Sequence, residues 1–128
     1  MRKTRWKTVF FIFLLSWPIL CLFARSDFGR DALCGAAYGG DLIGIRLLVA
    51  AGADPSRVGW EEHFTPLAET VRGGQVEAAR LLLQLGADPN RPNDNGWGTS
   101  AAETTASGDG EPEQCKAIVT LLNAARKQ

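Results

Sequence analysis

Apolar residues recur at helical spacing in the middle of the chain. Over residues 75–85 the apolar positions fall on one stripe, which predicts an α-helix. A shorter helix is predicted over residues 66–72, because Thr65 suits an N-cap and Pro66 suits the first helical position, where the missing N–H costs nothing. A glycine pair separates the two helices, and Gly86 ends the second, since glycine adopts the left-handed conformation found at helix ends. The apolar stripe consists of Val76, Ala79, Leu82 and Leu83.

The same pattern stands 34 positions earlier in the chain. Residues 47–56 read LLVAAGADPS, and residues 81–90 read LLLQLGADPN. The earlier copy predicts one helix over residues 31–38 and a second over residues 41–51, again separated by a glycine pair. The chain therefore contains a duplicated unit of two helices.

A third, partial copy starts at residue 99. Residues 99–104 read TSAAET, against TPLAET at residues 65–70. The offset then grows to 39, so five extra residues lie within ASGDGEPE, residues 106–113, before residues 115–125 resume the pattern of the second helix. A period of this length indicates stacked units that bury a shared core, because one unit is too small to bury its own apolar face.

The second copy, TPLAETVRGGQVEAARLLLQLGADPN, resembles the ankyrin repeat, whose pattern runs T-P-L-H-x-A, then a glycine turn, then a Leu-rich helix ending in G-A-D-x-N. The first copy lacks the Thr-Pro start, and the third ends before any G-A-D. The resemblance covers about residues 27–126. It implies an all-α fold, an ankyrin-type helix-turn-helix solenoid of about three repeats at about 31–64, 65–98 and 99–126, preceded by an N-terminal hydrophobic helix.

Residues 1–24 form a separate N-terminal segment, which we interpret as a signal peptide or a transmembrane anchor. A basic start is followed by residues 8–24, which are uncharged and rich in Phe, Leu and Ile. This order is typical of an export signal and also of a membrane anchor, so both alternatives stay open. A buried core helix is a third alternative, but the run is apolar all round and a chain this small has nothing to wrap it. The basic residues are Arg2, Lys3, Arg5 and Lys7.

The N-terminal segment sets the expected location of the protein. Lys and Arg beside an apolar segment favour the cytoplasmic side, so the repeats are expected to cross the membrane. The protein is then either membrane-anchored by a single pass, with a cytoplasmic N-terminus, or secreted or periplasmic after cleavage. The membrane contact is expected to run through residues 8–24.

Charge argues against a nucleic-acid partner. The chain has 14 basic and 14 acidic residues, and four of the basic ones lie in the first seven positions. The remainder is acidic overall, whereas neutralising phosphates requires clustered Lys and Arg. We infer neither a nucleic-acid partner nor a small-molecule substrate.

Few side chains suit catalysis. His63, the one histidine, lies in a loop beside Glu61 and Glu62; a metal site there is conceivable, but a turn residue is the simpler interpretation. Cys34 and Cys115 fall two units apart, and packed helices lie about 10 Å apart, so we expect two unpaired thiols about 20 Å from each other. Free thiols are unusual in an oxidising compartment. We expect no enzymatic activity, cofactor or metal; the alternative is a thiol-dependent redox or enzymatic accessory protein.

The connecting loops carry the candidate binding residues. PSRVGWEEHF and PNRPNDNGWG each contain an arginine at a matching place, and each also contains a tryptophan. Trp and Arg are enriched at binding hot spots, although the Trp rings could instead cover the helix ends. We predict a non-catalytic protein–protein interaction module exported to or anchored in the cell envelope; an immunity-type inhibitor that masks a partner enzyme is an alternative that the residues do not separate. The candidate partner-binding residues are Arg57, Trp60, Glu69, Arg72, Arg91 and Trp97.

Overall fold

The computed structural model describes residues 3–60, 63–94 and 111–128 of the chain. These residues form six α-helices and contain no β-strand, which confirms the predicted all-α class. The helices are α1 (Lys3–Arg25), α2 (Asp27–Gly39), α3 (Leu42–Ala50), α4 (Pro66–Gly73), α5 (Val76–Gln84) and α6 (Pro112–Arg126).

Three helices agree with the predicted bounds to within one residue at each end: α3, α4 and α5. The fourth, α2, begins at Asp27, four residues before the predicted start. The earlier start follows from Ser26, whose side-chain oxygen accepts a hydrogen bond from the Gly29 amide at 3.4 Å and so caps the helix.

The helix ends follow the predicted local chemistry. The Thr65 hydroxyl accepts a hydrogen bond from the Ala68 amide at 3.2 Å, and Pro66 occupies the first turn of α4. Gly40 and Gly74 follow α2 and α4 with φ of 73° and 66°. Only glycine adopts this left-handed backbone without a steric cost, so each glycine turns the chain into the next helix.

Equivalent helices of the two copies pack side by side: α2 lies against α4, and α3 lies against α5. Residues at equivalent positions share the core between them, since Leu33 and Leu67 are each 1% exposed. A fully buried leucine contributes roughly 1.5–3 kcal/mol relative to an exposed one. The helix α6 extends the stack, because it packs on α5 and α4 and buries Ile118 and Leu122.

The N-terminal helix α1 meets the rest of the chain at its carboxyl end. Ala24 is buried there, and the Phe23 ring lies 5.1 Å from the Phe28 ring of α2. Apart from Ala24 and the half-buried Cys21, the described side chains of α1 are exposed, so the described part of α1 before Cys21 is not a core helix. Among the described residues, no helix combines the length and the hydropathy needed to span a membrane.

Several predictions lie outside the described residues. These are the Trp97 site, the start of the third copy at residues 99–104, and the two glutamates considered as metal ligands beside His63.

Candidate functional site

A cleft of about 390 Å³ opens between α2 and α4, which we call the helix cleft. The cleft exists because the repeat places these two short helices side by side, with side chains from both on its walls. Tyr38 is 37% exposed at its edge, so an aromatic ring is available to a ligand. Its lining includes Asp31, Cys34, Tyr38, Gly59, Glu69 and Arg72.

A buried ion pair forms the wall contributed by α4. Glu69 is 3% exposed, and Nη1 of Arg72 donates to both of its carboxylate oxygens at 3.1 Å. The Arg72 guanidinium also lies 4.8 Å from the centre of the Phe64 ring and 5.9 Å from that of Tyr38. The sequence indicated Glu69 and Arg72 as candidate partner-binding residues, and in the structure both lie in the wall of the helix cleft.

The Cys34 thiol lines the same cleft and is buried. Its Sγ donates a weak hydrogen bond to the Phe64 carbonyl oxygen at 3.7 Å. Burial raises the pKa of the thiol to about 12, and the negative charges of Glu69 and Asp31 add to the rise. The thiolate is the nucleophilic form of cysteine, so a protonated, buried Cys34 is a poor nucleophile at neutral pH.

The other groups considered for chemistry lie apart from this cleft. Cys115 is buried, with its Sγ 3.3 Å from the Val71 carbonyl oxygen, and is free, as are Cys21 and Cys34. His63 is exposed and has φ of 58°, a turn conformation. Within the described part of the chain, no group of three or more His, Cys, Asp or Glu side chains is placed to hold a metal ion.

Two further clefts lie among the connecting loops. The tryptophan cleft, about 410 Å³, contains Trp60 and His63, and the arginine cleft, about 370 Å³, contains Arg25. Three arginines line both clefts, one from α2 and one from each of the two copies of the loop: Arg30, Arg57 and Arg91.

Trp60 projects into solvent at the tryptophan cleft. It is 67% exposed, and its ring centre lies 5.9 Å from the guanidinium of Arg30. Its backbone amide donates to Asp31 Oδ1 at 2.6 Å, which ties the loop to α2. The indole of Trp60 therefore does not cover a helix end, and it is held where a partner could contact it.

The structure separates the predicted binding residues into two neighbouring groups. Arg57, Trp60 and Arg91 come together at the loop clefts, and Glu69 and Arg72 lie in the helix cleft. Sequence reasoning missed two residues, Tyr38 and Arg30. The only signal for Tyr38 was its place at the end of the first helix, and Arg30 lay just before the predicted start of that helix.

One family model matches the chain: the ankyrin repeat, over residues 62–94. The matched segment contains α4 and α5 with the loops on either side. No curated protein matches the sequence significantly.

Proposed function

We propose, from the ankyrin repeat that the family model matches over residues 62–94, that the chain is a non-catalytic module that binds another protein through the helix cleft and the adjoining loops. Ankyrin repeats mediate binding to protein partners. The observation that carries the proposal is the placement of two partly exposed aromatic side chains, Tyr38 and Trp60, at two clefts that share Gly59 in their lining.

The contacts of this face suit recognition. Aromatic side chains beside fixed charged groups are the usual anchors of protein interfaces, because they bury a large area at a low cost in conformational entropy. Here both kinds of group are already held: the Arg72 guanidinium by Glu69 and two rings, and the Trp60 backbone amide by Asp31. A surface arranged before binding loses less entropy when it meets its partner.

We extend the proposal to three stacked repeats. The sequence of residues 99–104 repeats the start of the second unit, and α6 packs on α5 as the second helix of a third repeat would. In that arrangement the first helix of the third repeat would continue the row formed by α2 and α4. The binding face would then span three units.

We also propose that the module acts beyond the cytoplasmic membrane, exported or anchored through residues 8–24. The support is the order of four basic residues followed by an uncharged apolar run. Mass spectrometry of the protein from fractionated cells distinguishes the two forms: an intact chain in the membrane fraction indicates an anchor, and a chain beginning near Arg25 indicates a cleaved signal. Recovery of the intact chain from the cytosol would refute the proposal.

Capture of partners by the full chain tests the binding face. Replacing both Tyr38 and Trp60 with alanine removes the exposed rings, and we expect the variant to recover less than about a tenth of the partner obtained by the original chain. Ile43→Ala with Leu47→Ala is the matched control, because these residues are 72% and 56% exposed on α3, away from the clefts.

The capture is made by chemical crosslinking in native membranes, with helicity by circular dichroism confirming that each variant is folded. We expect the Tyr38→Ala, Trp60→Ala variant to lose partner capture and the Ile43→Ala, Leu47→Ala variant to keep it. Equal recovery by both variants would show that the binding face lies elsewhere.

A further inference from the structure

Four arginines surround the two loop clefts. Arg30, Arg57 and Arg91 line both clefts, and Arg25 completes the arginine cleft. Among the described residues, neither Arg25 nor Arg91 takes part in an ion pair. This concentration of positive charge stands out because the chain after its basic start is acidic overall.

Among the described residues, the carboxylates that line the two clefts or pair with their arginines are fewer than the four arginines: Asp27, Asp54 and Asp94. Asp27 pairs with Arg30 at 2.8 Å and reaches Arg57 at only 3.8 Å, with Arg57 still 48% exposed. Asp54 lines the arginine cleft, but its Oδ1 accepts a hydrogen bond from the Ser56 amide at 2.9 Å and serves the turn. The guanidinium groups of the cluster therefore keep donors available for an added anion.

Arg30, which lines both clefts, has a buried side-chain donor without an acceptor. Its side chain is 13% exposed, and within the described part of the chain its buried Nε has no hydrogen-bond partner. The ion pair with Asp27 and the contact with the Trp60 ring hold the guanidinium in place. A buried donor without an acceptor is costly, and a ligand oxygen that reached it would remove that cost.

The repeat places Arg57 and Arg91 in equivalent conformations. Each arginine amide donates to the carbonyl of the aspartate three residues before it, Asp54 or Asp88, at 3.2 Å. The two turns are joined directly, because the Asp88 amide donates to the Ser56 hydroxyl at 2.8 Å. Adjacent units are about 10 Å apart, so the two turns place the backbones of the two arginines at a spacing of that order.

This spacing matches one kind of peptide. In the polyproline II conformation every third residue faces the same side, and three residues advance about 9 Å. Two carboxylates three positions apart on such a segment would therefore meet the two arginines in register. Arg binds carboxylates through two parallel hydrogen bonds, which makes the match specific in direction as well as charge.

We propose that Arg30, Arg57 and Arg91 bind an extended acidic segment of the partner protein, with acidic residues three positions apart contacting Arg57 and Arg91. The inference rests on the proposed function and specifies the chemistry of the partner. It does not involve Tyr38 or the helix cleft.

Peptide binding to the full chain in neutral detergent tests the inference. The probe is a fluorescent proline-rich peptide with glutamate at every third position, and a control peptide has glutamine at those positions. Fluorescence anisotropy at about 50 mM salt, where screening is weak, measures the affinities. We expect the glutamate peptide to bind at least about tenfold more tightly than the glutamine peptide.

The variant Arg57→Gln with Arg91→Gln is expected to abolish that difference. A matched control exists in the chain: Arg46 and Arg80 are also 34 positions apart, are exposed on α3 and α5, and carry the same charge. Arg46→Gln with Arg80→Gln is expected to keep the preference for glutamate within about twofold.

Four results would overturn the inference. The first two are equal affinity for the glutamate and glutamine peptides, and an equal loss of the glutamate preference in the Arg46→Gln, Arg80→Gln control. The other two are equal affinity for a peptide whose glutamates are adjacent, and displacement of the peptide by inorganic phosphate at a similar concentration. The last would identify a site for small anions. The experiment is also separate from partner capture. If partner capture depends on Tyr38 and Trp60 but the glutamate peptide does not bind, only this inference is contradicted. If the glutamate peptide binds but the Tyr38 and Trp60 substitutions leave capture unchanged, only the proposed aromatic binding face is contradicted.

Discussion

Glu69 shows how a single residue of the repeat depends on its neighbours. Its carboxylate is buried, and its charge is offset by the two hydrogen bonds from Arg72. Burying a charge is costly unless the charge is paired, so the pair behaves as one unit in the wall of the helix cleft. The sequence placed both residues on α4 but did not indicate which side of that helix α2 would cover.

Arg72→Met is expected to destabilise the protein by about 2–3 kcal/mol, because it leaves the Glu69 carboxylate buried with less compensation. Urea unfolding followed by circular dichroism measures the change. Arg80→Met is the control, since its contact with Glu77 is 3.7 Å long and exposed, and a change below about 0.5 kcal/mol is expected. Adding Glu69→Gln to Arg72→Met should recover part of the loss. A destabilisation by Arg72→Met that is smaller than that by Arg80→Met would show that the Glu69–Arg72 pair is not buried in solution.

Cys34 gives the fold a specific dependence on alkaline pH. The folded thiol has its pKa raised from 9.0 to about 12 by burial and by nearby carboxylates, so the unfolded thiol ionises first as the pH rises. Its contribution to stability is therefore complete below pH about 9 and is lost between about 9 and 12, at up to about 1.4 kcal/mol per pH unit.

Comparison of the original chain with Cys34→Ala isolates this effect. The variant should show a constant offset between about pH 6 and 8 and a shallower loss of stability above about pH 9. Denaturant unfolding at each pH gives the difference. Parallel curves across the alkaline range would indicate that the Cys34 thiol is accessible to water in the folded protein.

At the scale of elements, equivalent residues in the two copies have unequal surroundings. Gly39 and Gly73 end α2 and α4 at matching positions, yet only Gly73 has a helix from a preceding copy beside it. A Cβ on Gly73 would clash with the carbonyl oxygen of Tyr38, at the end of α2, whereas a Cβ on Gly39 would meet nothing. Substitution of Gly73 therefore tests directly how closely α2 and α4 pack.

Gly73→Ala is expected to destabilise the protein by at least about 2 kcal/mol, because the backbones of two helices must separate to admit a methyl group. Gly39→Ala is expected to be neutral or stabilising by up to about 1 kcal/mol, since alanine has the higher helix propensity. Thermal unfolding of both variants measures the contrast. Similar behaviour of the two would mean that α2 and α4 do not approach each other as closely as described.

The elements were largely predictable because their signals are local. Thr65, Pro66 and the glycine pairs fix helix ends within a few residues, and the apolar stripe fixes α5. The start of α2 was missed, because the first copy lacks the Thr-Pro signal and the cap that replaces it, Ser26, lies before the repeat. Asp31, which takes the place of Thr65, is consequently inside a helix rather than at its start.

At the scale of the whole molecule, the candidate site is where prediction from sequence was weakest. The matching loops pointed to Arg57, Trp60 and Arg91, and these do lie together. The sequence did not indicate that Arg30 lines the same clefts, because its position there depends on how the loops fold back onto α2. The role of Trp97 as a partner-binding residue stays a prediction.

The stack also explains how a chain of 128 residues presents an ordered surface. Each pair of helices is too small to bury its own apolar residues, and the core is completed by the next pair. The clefts and loops are therefore positioned by contacts between units, and the proposed binding face depends on the same interfaces as stability. A substitution that separates α2 from α4 should weaken both.

The most direct test of this account is whether the two copies touch in solution. Methyl NMR of the full chain in detergent can detect nuclear Overhauser effects between Leu33 of α2 and Leu67 of α4, which stand 34 positions apart. The account predicts strong effects linking the methyl groups of α2 to those of α4. Effects confined within each copy, with none between α2 and α4 or between α3 and α5, would contradict it.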